Sequence, residues 1–106
     1  SGKEYTTPVG YLREGDTFTI LTKRFRKWWH NFEDPAQVQL LVERETLRGT
    51  AQAITEPEQV AEALRRVIAE RPREAEIYEV KMNGNMPAPA SLQRAAERVT
   101  VIRVEV

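Results

Sequence analysis

The chain has 106 residues, enough for one domain with its own core and too few for two. It contains no cysteine, which excludes disulfides, thiolate metal sites and a cysteine nucleophile. Sixteen basic residues balance sixteen acidic ones, whereas a dedicated nucleic-acid binder would carry an excess of positive charge. No apolar run approaches the roughly 18 residues of a membrane helix. Neither nucleic acid nor a membrane is therefore expected as a partner. No leader sequence is visible, and a cysteine-free chain suits the reducing cytoplasm.

Residues 6–12, TTPVGYL, read as a strand, with Pro8 near its start. Arg13 to Asp16 form a polar turn around Gly15. Residues 17–22 alternate, with Phe18 and Ile20 on one face and Thr17 and Thr19 on the other, so a hairpin is expected. A second hairpin is predicted from strands over 37–43, with Val38, Leu40 and Val42 in phase, and 46–54. In the latter, Gly49, Ala51 and Ala53 are small and share a face. Small residues inside a strand mark a bulge, tight sheet packing or the close approach of a backbone or ligand.

A helix is predicted over 56–71. Thr55 and Glu58 have the spacing of a capping box. Val60, Leu64, Val67 and Ile68 form one apolar stripe, Glu62 and Arg66 can pair at i,i+4, and Pro72 ends the helix. Residues 74–82 suit either a short helix or a strand. Asn83 to Asn85 read as a turn, Ser91 to Arg98 as a short helix, and 99–106, VTVIRVEV, as a closing strand. Antiparallel hairpins with one main helix point to a small barrel or a sheet with a helix on it.

Residues 22–35, TKRFRKWWHNFEDP, stand out. Lys23, Arg24, Arg26 and Lys27 place four cations in five residues of a neutral chain, and Phe25, Trp28, Trp29 and Phe32 recur at helical spacing. The aromatics alone fit a short helix, starting near Arg26, that buries one face. The cations alone fit a solvated loop, where their removal would leave stability unchanged. Together they also fit an anion site beside an aromatic wall, with a local positive field. His30 is the sole histidine, and no metal-ligand spacing, nucleotide-binding loop or catalytic triad is apparent. Chemistry carried by a bound cofactor is consistent with that pattern.

The stretch Thr7-Pro8-Val9-Gly10-Tyr11, Arg13 and Gly15-Asp16, the strand ending in Thr22-Lys23, and then Trp29, Asn31 and Phe32 resemble the deazaflavin-dependent nitroreductase family. The order continues with a hairpin, one helix and a valine-rich last strand, so the resemblance covers nearly the whole chain. It implies a mainly β fold with α, an antiparallel split β-barrel like the FMN-binding split barrels. One domain would span residues 1–106, and the family's additional first strand would precede Ser1. It also implies 8-hydroxy-5-deazaflavin as cofactor, or FMN as in cousins, hydride transfer to a small unsaturated substrate, and a homodimer. Carried onto this chain, Lys23 with Arg24 and Arg26 would grip the phosphate. Thr7, Pro8, Val9 and Thr22 would line the ring, and Trp28 or Trp29 would wall the pocket. A non-catalytic relative that dimerises or binds a ligand without turnover is the alternative.

Overall fold

The computed structural model describes residues 3–4 and 11–106, with side chains from Tyr11 onward. The expected strand over 6–12 therefore lies largely outside the described residues. Its end is seen as β2, Tyr11–Glu14. Two residues, Lys3–Glu4, form β1. The hairpin partner of β2 is β3, Thr17–Lys23, joined through Gly15, whose φ of 61° a side chain would resist. The second hairpin pairs β4, Ala36–Val42, with β5, Glu45–Ile54. Helix α1 spans Pro57–Glu70, α2 spans Arg73–Ile77 and α3 spans Pro89–Ala96. Between α2 and α3 a two-residue-per-strand hairpin, β6 Met82–Asn83 and β7 Met86–Pro87, turns at Gly84. The last strand, β8, is Val99–Glu105.

The main sheet has the order β1-β4-β5-β8-β3-β2. Every pairing is antiparallel except that of β1 with β4. This is the mainly antiparallel β fold with added helices that the alternation predicted. Among the described residues the sheet is open, with β1 and β2 at its edges.

The sheet is buried on both faces near β8, which explains the lack of alternation at the start of VTVIRVEV. Val99 and Val101 join Leu21 against Val60, Leu64, Val67 and Ile68 of α1 and Ala95 and Ala96 of α3. Ile102 and Val104 join Phe18, Ile20, Val38, Val42 and Ala51 on the other face, capped by Trp29 and Phe32.

One local expectation changes, one is refined and one open reading is decided. Helix α1 starts at Pro57, not behind a Thr55 cap. Glu56 is the N-cap residue and makes no side-chain cap bond, and Pro57 sets the start, because its fixed φ suits the first helical position and its missing amide is one the first turn leaves unpaired anyway. The expected pair of Glu62 with Arg66 is present at 4.0 Å, but Glu62 lies closer to Arg65, and Arg66 also reaches across to Glu14. The undecided stretch 74–82 is α2 followed by β6.

Gly49 is small because a backbone lies against it. A Cβ there would sit 2.5 Å from the Glu105 carbonyl oxygen. Ala51 is 1% exposed. The last strand and the far-face cluster cover these two residues, so their small size serves close backbone approach and tight sheet packing.

Candidate functional site

The basic-aromatic segment does not fold as one helix. Strand β3 ends at Lys23, and a turn closed by the Arg26 amide on Lys23 O (3.0 Å) projects Arg24 and Phe25. Only then does a 3₁₀ helix begin, at Trp28–Phe32. The four-membered aromatic stripe is thereby broken. Trp29 and Phe32 are buried, Trp28 is half-buried, and Phe25 is 74% exposed. At five residues, this helix is too short and starts too late to offer amides to an anion near Arg26.

Arg24 has a different environment from its neighbours. Its Nη2 donates to Val99 O (2.6 Å), Ala96 O (3.1 Å) and Thr55 O (3.3 Å), and its Nε donates to Thr100 Oγ1 (3.4 Å). Its amide donates to Arg98 O at 2.7 Å. The guanidinium thus satisfies the last carbonyl of α3, Ala96 O, which the helix leaves without a partner, together with Val99 O at the start of β8 and Thr55 O ahead of α1. It ties the β3 turn to the start of β8. Lys23 is exposed and has no ion pair or hydrogen-bonded side-chain partner among the described residues. Arg26 lies with its guanidinium 5.4 Å from the Phe25 ring centre.

Where the β3 turn, the end of α2 and the end of α3 meet, there is a cleft of about 390 Å³. It is lined by Lys23, Arg24 and Phe25 from the turn, Ile77, Tyr78 and Glu79 from the end of α2, and Glu97, Arg98 and Val99 before β8. That volume falls within the ordinary range of small-molecule pockets. Phe25 and Ile77, 74% and 51% exposed, give it an unusually bare apolar mouth. The Tyr78 hydroxyl donates to Leu21 O at 3.2 Å, and burial, aided by Glu74, pushes its pKa up to about 12. The phenol is therefore a neutral donor that fixes α2 to β3.

Of the residues singled out in the sequence, the structure brings Lys23 and Arg24 together in this cleft. Thr22, Trp28 and Trp29 do not line it. Thr22 is buried, its Oγ1 accepting from Trp28 Nε1 at 3.1 Å, and Trp29 Nε1 donates to Arg24 O at 2.9 Å. The two indoles brace the turn that carries Lys23. Arg26 lies beside Phe25 without lining the cleft. Thr7, Pro8 and Val9 fall outside the described residues. Ile77, Tyr78, Glu79 and Arg98 were missed. They sit more than fifty residues from the β3 turn, and the one local signal was an Ile-Tyr pair ending a charged stretch.

Among the described residues no group of three or more His, Asp or Glu is placed to hold a metal ion, and no helix is long and apolar enough to cross a membrane. A family model described as F420H(2)-dependent quinone reductase matches residues 1–90. No curated protein and no solved structure matches the chain.

Proposed function

The chain belongs to the F420H(2)-dependent quinone reductase family, an oxidoreductase family whose cofactor is the 8-hydroxy-5-deazaflavin F420, and we propose that the cleft beside the β3 turn seats that cofactor for reduction of a small quinone-like acceptor. The observation that carries this reading is the juxtaposition in one cleft of unpartnered cations and a bare apolar bed. A phosphorylated planar ring needs both, and the residues present fit it. Lys23 and Arg98 are exposed without ion pairs among the described residues, and charge-assisted bonds to phosphate are stronger than neutral ones. Phe25 and Ile77 supply exposed apolar surface next to them.

When bound, the reduced deazaflavin supplies a hydride, which with one further proton turns a quinone into its hydroquinone. The chain's own residues bind, orient and shield. Lys23 takes the phosphate, with Arg26 adding to the local positive field. Arg24 holds the turn in place through its carbonyl partners and so keeps Lys23 and Phe25 at the cleft. Trp28 and Trp29 act from beneath through their bonds to Thr22 and Arg24. Thr7, Pro8 and Val9 belong to the proposal on the family resemblance, as backbone lining the ring. Two-fold association is part of the same proposal, and sedimentation showing only a 12.2 kDa species at tens of micromolar would remove it.

The test of activity is direct. Reduced F420 is mixed with the protein and a soluble quinone, and the return of the oxidised cofactor's absorbance is followed. Oxidation that needs protein and quinone together is expected. A rate equal to the protein-free blank would sink the proposal.

A further inference from the structure

Three non-glycine residues among those described have positive φ: Glu43 at 49°, Arg44 at 69° and Glu79 at 57°. For the first two the fold supplies the reason. They alone separate β4 from β5, and a two-residue hairpin of this hand needs positive φ at both positions. Glu79 is the left-handed residue of a Schellman ending to α2. The Val80 amide donates to Ala75 O at 2.7 Å and the Glu79 amide to Glu76 O at 3.2 Å. Glycine is the usual occupant there, because a side chain meets steric cost in this conformation.

The strained residue is also pinned in place. Ser91, 3% exposed, accepts the Lys81 amide at 2.8 Å, and its hydroxyl lies 3.5 Å from Glu79 O. Unlike the hairpin tip, Glu79 lines the cleft. Its carboxylate has no hydrogen bond or ion pair among the described residues. Glycine would make the same turn, so the turn itself does not call for a carboxylate. Strained residues held by their surroundings gather at ligand sites.

We infer that Glu79 is held in this conformation to present its carboxylate to the cleft's ligand, where it accepts a hydrogen bond from the imide N–H of the deazaflavin ring. The inference rests on reading the cleft as the cofactor site. An ionised carboxylate accepts and cannot donate, so it needs a donor. Neither a phosphodiester anion nor a quinone carbonyl has a proton to offer, whereas the pyrimidine edge of the planar deazaflavin ring carries an imide N–H, the donor that methylation removes. Lys23 and Arg98 attract the anionic end, and Glu79 takes the donor edge. Together they fix which way round the ring lies.

The test uses 8-hydroxy-5-deazariboflavin, which keeps the ring and lacks the phosphate, and its derivative methylated at the imide nitrogen. Binding of each to the full chain is followed by fluorescence titration, and melting by circular dichroism. Three proteins are compared: the parent, Glu79→Gly, and a control with Glu43→Asn and Arg44→Gly that relieves strain away from the cleft. Glu79→Gly is expected to melt about 3 °C higher than the parent and yet to bind the unmethylated ring about tenfold more weakly. Methylation should weaken binding to the parent by about tenfold and to Glu79→Gly by less than about twofold. The control should melt higher and bind both compounds as the parent does. Equal binding by parent and Glu79→Gly, an equal cost of methylation in both, or no rise in melting temperature for Glu79→Gly would overturn the inference. A folded parent that binds neither compound would instead overturn the reading of the cleft, a result distinct from the loss of Glu79's role alone.

Discussion

Arg24 offers the sharpest test of how the cleft is built. As one of four cations in a charged run it reads as a surface residue, removable without loss of stability. The structure gives it four side-chain acceptors: Val99 O at 2.6 Å, Ala96 O at 3.1 Å, Thr55 O at 3.3 Å and Thr100 Oγ1 at 3.4 Å. Arg24→Ala removes all four and leaves two part-buried carbonyls without that donor. A hydrogen bond to a charged group contributes about 1.5–3 kcal/mol, and bonds sharing one group do not add fully. The two long contacts contribute least. A loss of about 2–4 kcal/mol is expected, or roughly 10–20 °C in melting temperature for a domain of this size. Lys23→Ala, which breaks no such contact, should stay within about 0.5 kcal/mol of the parent. Urea denaturation followed by circular dichroism measures both. An Arg24→Ala variant within about 0.5 kcal/mol of the parent would refute the assignment of Arg24 as the clamp between the β3 turn and β8.

Gly49→Ala drives a methyl group to 2.5 Å from Glu105 O, and should cost about 1–3 kcal/mol through displacement of the last strand. Equal urea midpoints would show that β8 does not pass that close. Trp29→Ala should cost about 3–5 kcal/mol, since the ring is 7% exposed in the far-face cluster and its Nε1 is bonded to Arg24 O. An unchanged melting temperature would take the ring out of the core. Burial, aided by Glu74, pushes the Tyr78 phenol up from its ordinary 10.0 to about 12 in the folded chain. The native state therefore holds its proton where the unfolded state has lost it, and stability from this group, intact below pH 10, should fall as pH rises from about 10 to 12. Tyr78→Phe should flatten the decline over that window. A decline of the same depth in the variant would assign it to other groups.

Elements fixed by their own neighbours were legible in the sequence. The hairpin alternation, the 3.6-residue stripe from Val60 to Ile68 and the β-branched last strand each follow from local side-chain periodicity, and all appear in the structure. The misread positions are those where a distant element decides. Phe25 keeps the helical spacing of Trp29 and Phe32 but is turned out to solvent, because Arg24 binds carbonyls more than seventy residues ahead and fixes the turn first. Thr55 has the residue type of a cap, but the proline two positions on sets the helix start. Within the cleft, Lys23 is legible through its charge and its place at a strand end. Tyr78 and Glu79 were not, because their stretch carries neither clean period and their role arises only where α2 meets β3. The left-handed turn at Glu79 left no trace, since the residue that signals such a turn is glycine.

The most direct measurement is a fluorescence titration of the parent and Lys23→Ala with F420 and with its phosphate-free ring compound. Saturable binding of F420 to the parent is expected, weakened about tenfold by Lys23→Ala, with the phosphate-free compound bound alike by both proteins. Absence of F420 binding to the folded parent, or equal F420 affinity in the two proteins, would contradict the assignment of this cleft as a deazaflavin site gripped through Lys23.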